Sequence, residues 1–387
     1  MLDFTQKGKV VITFKDRFSP FVEQELIDLG FKPKNVFRTY IELYASLNEC
    51  MFLNMHLRVA SHVLFEIKSF YLHHADDIYR RVKSLPWEEY ITNDTYFSVN
   101  SHVENDSVDN PLFVNVRIKD AIVDRFRENT GVRPDTGSAY EGAVFQLFWK
   151  ETQATLYINT SGETIAKHGY RKIPGKAPML EALAAATIYA SGWDRKSPFV
   201  NPMCGSGTLA IEAALIATNR FPGLYRDHYS FMHIIGYDES VYQKLKTELE
   251  EKISSMGDIQ IIASDIAEQA VLFTKENAAT AGVEDLLSYE VCDFEDTTIP
   301  ESEAGIMMVN PEYGERLGEE DELEATYKRL GDFMKQKCAG YTGFVFTGNL
   351  DLAKRVGLRP SRKMEFYNGT IDCRLLKYEL YKGKKDQ

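Results

Sequence analysis

Asn310, Pro311, Glu312 and Tyr313 directly follow an apolar run, Gly305 to Val309. The exocyclic amine of guanine or adenine is a poor nucleophile because its lone pair is delocalised into the ring. An amide oxygen and a backbone carbonyl that both accept its N–H bonds pull the nitrogen toward a tetrahedral shape and localise that pair. Asn310 Oδ1 and the Pro311 carbonyl are the candidate acceptors, and Tyr313 is the candidate to stack on an extruded base. The competing interpretation is an ordinary strand-ending turn, which Asn-Pro also marks.

A second motif precedes it: Asn201, Pro202, Met203, Cys204, Gly205, Ser206, Gly207 and Thr208 lie between a short apolar strand and an Ala-rich helix. Glycines there let the backbone approach a ligand, and the helix start offers free N–H groups to a carboxylate or phosphate. Gly205 to Ala210 also fits the G-x-G-x-x-A dinucleotide fingerprint, but the next strand-ending acid, Asp265, comes about sixty residues later instead of the roughly twenty expected of a nicotinamide site. Asp265, followed by Ile266, can accept both ribose hydroxyls of an adenosyl group. Asp293 can accept the adenine N6 amine beside Phe294. Either acid alone could be a helix N-cap. Together, at successive strand ends, they predict an adenosyl site whose ligand carries a sulfonium methyl, with no metal.

These residues need a frame that brings strand ends together. From Pro198 onward, strands and helices alternate regularly: Pro198 to Val200, a helix Leu209 to Thr218, Ile259 to Ala263, a helix Glu268 to Ala281, Leu287 to Val291, Gly305 to Val309, a helix Leu323 to Lys337 and Thr342 to Thr347. That order predicts a doubly wound parallel sheet with ligands at the strands' carboxyl ends. Cys373 to Tyr381 is expected to return as an antiparallel edge. The first 160 residues are α+β without βαβ regularity. They include a helix at Pro20 to Leu29, a strand at Val36 to Tyr44, a long amphipathic helix at Asn48 to Ile67, a helix at Asn115 to Asn129 and an alternating pair at Ala143 to Trp149 and Gln153 to Asn159. Of the aromatics there, Tyr96, Phe97 and Tyr140, alternation predicts that most are core. Between the halves lies KHGYRKIPGK, where Lys167, His168, Tyr170, Arg171, Lys172 and Lys176 make the best local candidate for phosphate contacts against an ordinary solvated loop.

A chain of 387 residues, 44% hydrophobic and 26% charged, exceeds what one core usually organises, so two or three domains are expected. A net charge of -12 argues against a protein that coats nucleic acid non-specifically, because that needs a wide basic surface, but it leaves room for local basic patches. The five cysteines are scattered without zinc spacing and read as reduced, mostly buried small hydrophobes; His73 and His74 read as solvated. With no long apolar run and no signal segment at the start, a cytoplasmic location without membrane contact is expected.

Taken together, NPMCGSGT, SDI, CDF, NPEYGERLG, the KHGYRK linker and the late NGTIDCRLLKYELY run resemble the THUMP-domain RNA methyltransferases, in particular the bacterial ribosomal RNA guanine-N2 methyltransferase family, members of which have also been labelled N6-adenine-specific DNA methylases. The resemblance covers nearly the whole chain. It implies an α/β fold class: a ferredoxin-like segment over 1–50, a THUMP RNA-binding domain over 51–160 and a class I Rossmann-like methyltransferase domain over 161–387. It further implies S-adenosyl-L-methionine as cofactor and S-adenosyl-L-homocysteine as product. The partner implied is RNA, 23S rRNA or a ribosome assembly intermediate, methylated at guanine N2. Residues 201–208, 265 and 293 would hold the cofactor, and residues 310–313 the target amine. The family usually has N-P-P-Y, and Glu312 at the second proline loosens the loop. Pointing inward, Glu312 would accept guanine N1–H and N2–H and select guanine; pointing outward, it would be a tolerated surface substitution. Two other functions compete. A DNA adenine-N6 methylase would need a basic recognition domain, whereas residues 1–160 are slightly acidic. A non-catalytic RNA-binding module need not keep Asp265, Asp293 and Asn310 together.

Overall fold

The computed structural model describes residues 2–72, 74–106, 108, 110–175, 178–255, 257–314 and 320–382. His73, Lys176 and Glu315 to Gly318, all named above, lie outside the described residues. The chain forms two compact units, one comprising Met1–Phe14, Val22–Ile165 and Arg226–Glu248, the other Lys15–Phe21, Ala166–Tyr225 and Leu249–Gln387. Residues 226–248 therefore interrupt the continuous 161–387 domain expected from sequence. They join the first unit through specific bonds: Arg226 Nη2 donates to the Ser161 carbonyl at 2.8 Å, the Val144 N–H donates to Ser230 Oγ at 2.7 Å, and Ile234 is buried in the same core as Trp87 and Phe97.

Up to Ile165 the elements are β1 (Gly8–Thr13), α1 (Ser19–Asp28), β2 (Asn35–Val36), β3 (Tyr40–Ala45), α2 (Leu47–His56), β4 (His62–Tyr71), α3 (Ala75–Lys83), β5 (Phe97–Glu104), α4 (Pro111–Thr130), β6 (Thr136–Gly137), β7 (Ala143–Lys150) and β8 (Gln153–Asn159). The strands make one eight-stranded sheet in the order β2-β3-β1-β4-β8-β7-β5-β6. The helix expected over Asn48 to Ile67 is thus two elements. A capping box starts α2, with Ser46 Oγ accepting the Glu49 N–H at 3.2 Å and Glu49 Oε2 accepting the Ser46 N–H at 2.7 Å. The aromatic-rich, β-branched run His62 to Tyr71 instead pairs with β1 and β8, a non-local ladder that overrides the helical spacing read through Ile67. The strand expected over Val36 to Tyr44 is likewise broken into the β2–β3 hairpin, leaving Phe37, Arg38 and Thr39 exposed at its turn.

The later elements are α5 (Glu181–Ser191), β9 (Phe199–Asn201), α6 (Thr208–Ala217), α7 (Glu239–Glu251), β10 (Ile261–Asp265), α8 (Glu268–Thr280), β11 (Leu287–Val291), β12 (Ile306–Val309), α9 (Glu320–Lys337), β13 (Thr342–Thr347), α10 (Leu350–Arg355), β14 (Arg362–Asn368) and β15 (Ile371–Glu379). Their sheet runs β11-β10-β9-β12-β13-β15-β14, parallel from β11 to β13 and antiparallel at β15 and β14. The last strand returns antiparallel, as expected, but it lies between β13 and β14, and β14 forms the edge. Tyr327, Leu330, Phe333 and Met334 of α9 pack with Leu352 and Val356 over Val200, Met307, Val309 and Val345, burying one face of the sheet in an apolar layer.

Candidate active site

The strand order reverses at β9, which has β10 on one side and β12 on the other, so the connections diverge and open a crevice beyond the strands' carboxyl ends. All four sequence motifs lie there. Asn201 ends β9, Asp265 ends β10, Asp293 follows β11 and Asn310 follows β12. Asn201 ties two of them together: its Nδ2 donates to the Met308 carbonyl at 2.9 Å and the Pro202 carbonyl at 3.3 Å, so the glycine loop and the Asn310 loop share one brace.

The glycine loop is held in a conformation only partly natural to its residues. Met203 has φ 52°, a left-handed value that costs a non-glycine residue on the order of 1 kcal/mol and survives where the surroundings over-determine it. Here the Cys204 N–H donates to the Ser264 carbonyl at 2.9 Å, and the Gly207 N–H to the Cys204 carbonyl at 2.9 Å. Gly207 (φ 84°) has no room for a side chain, because a Cβ would collide with Thr274. Gly205 (φ 57°) has no atom within 4 Å of where a Cβ would stand, which leaves the open side of the loop free for a ligand. Burial pushes the Cys204 thiol up to about 12, so it stays protonated and is no nucleophile.

The Asp265 carboxylate faces this loop, with Oδ2 accepting the Gly205 N–H and Oδ1 the Ala267 N–H, each at 3.0 Å. A carboxylate has about four acceptor positions, so capacity for two ribose hydroxyls remains. Ile266 beside it is 71% exposed, an apolar surface that the flat face of an adenine would cover. Asp293 Oδ1 accepts the Glu295 N–H at 3.0 Å and Arg329 Nη2 at 2.8 Å, and the Arg329 guanidinium also lies 4.9 Å over the Phe294 ring. Burial pushes the Asp293 carboxyl up, but Arg329 and the Glu295 amide outweigh it and hold the group below the usual carboxylate range. Arg329 is thus a site residue that sequence reading missed; it comes from α9, 36 residues on, with no local signal.

At the end of β12, Asn310 Oδ1 is buried without a hydrogen-bond partner among the described residues, and Pro311 is buried. An unpaired buried acceptor costs roughly 1–3 kcal/mol and points to a ligand donor. The Glu312 side chain is exposed, which favours the outward reading. Tyr313 is half-buried: its hydroxyl accepts Asn368 Nδ2 at 2.9 Å and its ring lies against Gly348, 3.2 Å from where a Cβ would stand. The donor set therefore fits an adenosyl ligand beside an amine. Among the described residues no cluster of three His, Cys, Asp or Glu side chains could hold a metal ion.

The basic linker needs correction. His168 and Tyr170 are each 1% exposed, and His168 Nδ1 sits 2.7 Å from Glu212 Oε1 of α6, while Tyr170 packs edge-on against Tyr225. Arg171 is turned inward too, its Nε donating to Glu181 Oε1 at 3.2 Å and its Nη2 to the Met179 carbonyl at 2.6 Å and to Thr208 Oγ1 at 3.0 Å. These three side chains face the interior and α6 and are not available to phosphates; among the described cations of the run, Lys167 and Lys172 are exposed. A run of bases with an aromatic signals nucleic acid only if it is exposed, and here buried acids recruit it.

Asn277 of α8, also missed, latches this segment to the loop. Its Oδ1 accepts the Lys172 and Ile173 N–H groups at 3.0 Å, and its Nδ2 donates to the Ile173 carbonyl at 2.9 Å and to that of Ser206 at 3.2 Å. Asn277→Ala should leave these groups short of partners and lower stability by about 2 kcal/mol, within the range for unsatisfied buried polar groups. Asn277→Asp, which keeps the acceptor, should fall between. Thermal unfolding of the three proteins checks the order, and a wild-type midpoint in Asn277→Ala would remove the latch.

The family profile described as RMKL-like, methyltransferase domain, matches residues 168–377, and the THUMP domain profile matches residues 73–159. The ribosomal RNA large subunit methyltransferase K/L of Syntrophotalea carbinolica is 35% identical over 371 residues, covering 93% of this chain and 52% of the relative. The chain thus spans about half the length of the curated relatives it matches. Among solved structures, SMU.472, crystallised with SAH, superposes with TM-score 0.86 at 26% identity over 98% of this chain and 100% of that one. A protein from Listeria monocytogenes, described as a predicted N6-adenine-specific DNA methylase, gives 0.87 at 28% identity over 97% of each chain. With more than half its length matched by the profile and the glycine loop, two strand-end acids and Asn310 gathered at one switch point, the chain belongs to the RMKL-like methyltransferase family.

Proposed function

We propose that the protein transfers a methyl group from S-adenosylmethionine to an exocyclic base amine of ribosomal RNA, guanine N2 of the large-subunit (23S) rRNA, free or in an assembly intermediate, in the cytoplasm. The observation that carries this reading is the Asn310 Oδ1 at the end of β12, buried and without a hydrogen-bond partner among the described residues, on a strand that Asn201 braces to the glycine loop. The name of the 35% identical relative supports the rRNA substrate, and the SAH held by SMU.472 supports the cofactor.

Bound S-adenosylmethionine would supply an electrophilic methyl on its sulfonium sulfur. Asp265 would hold the ribose, Asp293 the adenine amine, and the backbone of residues 203–207 the amino-acid end. Asn310 Oδ1 and the Pro311 carbonyl each accept one N–H of the target amine, which localises its lone pair and fixes its line of approach. Neither oxygen is basic enough to keep a proton, so the proton lost by the methylated nitrogen passes to water. Tyr313, tethered by Asn368, keeps its ring beside the base.

The test is tritiated methyl transfer to rRNA from a strain lacking the enzyme, followed by nucleoside analysis. Labelled N2-methylguanosine is the expected product; N6-methyladenosine would move the assignment to adenine, and no label in RNA would end the reading. In calorimetry, Asp265→Ala should weaken S-adenosylmethionine binding by about 1.5–3 kcal/mol, the scale of charge-assisted hydrogen bonds. Unchanged affinity would take Asp265 out of the site.

A further inference from the structure

The signature first read in KHGYRKIPGK, bases interleaved with aromatics and no acid, occurs a second time in Phe31 to Tyr40, FKPKNVFRTY, with Lys32, Lys34 and Arg38. In the first case the aromatic is buried and the arginine is turned inward. In the second, the surface is open: Lys32 and the whole run 34–39 are exposed, Phe37 to 42% and Val36 to 43%, and Tyr44 on the adjoining strand is 52% exposed. A chain of net charge -12 here presents a hairpin of three cations around three aromatic rings.

The rings are pre-arranged. Phe37 stacks on Tyr40 with centroids 4.3 Å apart and planes at 20°, so Tyr40 backs one face of Phe37. Lys34 Nζ lies 4.7 Å over the Tyr44 ring and 3.2 Å from its hydroxyl. Glu42, the acid on the same hairpin, is neutralised, with Oε1 2.7 Å from Lys9 Nζ and Oε2 accepting Asn35 Nδ2 at 2.7 Å. The edge itself is unsuited to adding a strand, because β2 is two residues long and Pro33 before it has no N–H. What the hairpin offers is therefore side chains: flat π faces for bases and cations for the phosphates between them. That combination complements a single-stranded polyanion with exposed rings, whereas a duplex hides its base faces.

We propose that the β2–β3 hairpin, through Phe37, Tyr44, Lys34 and Arg38, is a stacking platform for single-stranded RNA. This rests on the reading of RNA as the substrate. The platform holds an unpaired segment of the rRNA and adds affinity without contributing to methyl transfer.

The test uses the full chain and fluorescence anisotropy with labelled 12-nucleotide oligo(U) and oligo(A), and a duplex of the same length. Phe37→Ala and Tyr44→Ala should each weaken single-strand binding on the order of tenfold, the effect of losing one base–aromatic stack. Phe37→Trp and Tyr44→Trp should bind as tightly as the wild type. Lys34→Gln with Arg38→Gln should reduce the salt slope by about 1.4, or roughly 0.7 for each phosphate no longer neutralised. Thermal midpoint and S-adenosylhomocysteine affinity should not move. Equal RNA affinity in a folded double-alanine variant, or duplex binding as sensitive to it as single-strand binding, would overturn the platform while the methyltransferase reading stands, and would assign the rings to a protein contact. A wild-type chain that binds no RNA would overturn both.

Discussion

Asn310→Ala is expected to slow methyl transfer by about 10²–10³-fold in single-turnover assays, the cost of deleting one preorganised group at a centre where charge develops. Asn310 Oδ1 is buried and has no hydrogen-bond partner among the described residues, so its alignment is already in place before a base arrives. Alanine removes the acceptor without touching the brace, because the bonds from Asn201 Nδ2 go to the Met308 and Pro202 carbonyls. Affinity for S-adenosylhomocysteine should therefore be unchanged in calorimetry, which separates this variant from Asp265→Ala. The exposed Glu312 gives the contrast: Glu312→Pro restores the family's sequence, keeps the carbonyls of the loop and should retain most of the activity. An active Asn310→Ala protein, or a Glu312→Pro protein as slow as Asn310→Ala, would relocate amine recognition from the asparagine to the carboxylate.

The largest loss of stability should come from a residue outside the chemistry. His168 Nδ1 and Glu212 Oε1 are 2.7 Å apart with both side chains fully buried, and the other carboxylate oxygen and the Tyr170 hydroxyl are buried nearby without a well-formed hydrogen bond. Burial, with Glu212 next, pushes the titration of Tyr170 well up, so it remains a neutral phenol beside the acid. Removing one partner of such a pair strands the other, and Glu212→Ala should cost about 3–5 kcal/mol. Replacing both, His168→Leu with Glu212→Leu, should cost less than Glu212→Ala, since neither member of the pair is left buried without the other. Trp193 is the one tryptophan in the second unit, so urea unfolding followed by its fluorescence in a Trp87→Phe, Trp149→Phe background isolates that unit. A single-variant loss below about 1 kcal/mol, the range of exposed ion pairs, would mean that water reaches the pair.

The sequence by itself determined which candidate residues line the crevice and the frame that carries them. Each motif is a strand end followed by its own turn, and such turns are encoded by adjacent residues: the glycines at 205 and 207, the acids at 265 and 293, and Asn310 with Pro311. The alternation from Pro198 onward then sufficed to predict the parallel sheet, because βαβ units leave few other solutions. Only the tertiary structure decided which polar side chains face inward. Arg171 meets Glu181 and Thr208, Asn277 meets Lys172 and Ser206, and Arg329 meets Asp293, with the partners of the last two arriving from 36 to 105 residues away. The strand His62 to Tyr71, whose first half falls within the helix expected over Asn48 to Ile67, was settled by its ladders to β1 and β8. The two basic, aromatic runs are alike in composition; Glu212 and Glu181 draw His168 and Arg171 of the first inward, while Lys32, Lys34 and Arg38 of the second stay on the surface, because desolvating a cation is tolerable only where a charge or carbonyl waits for it.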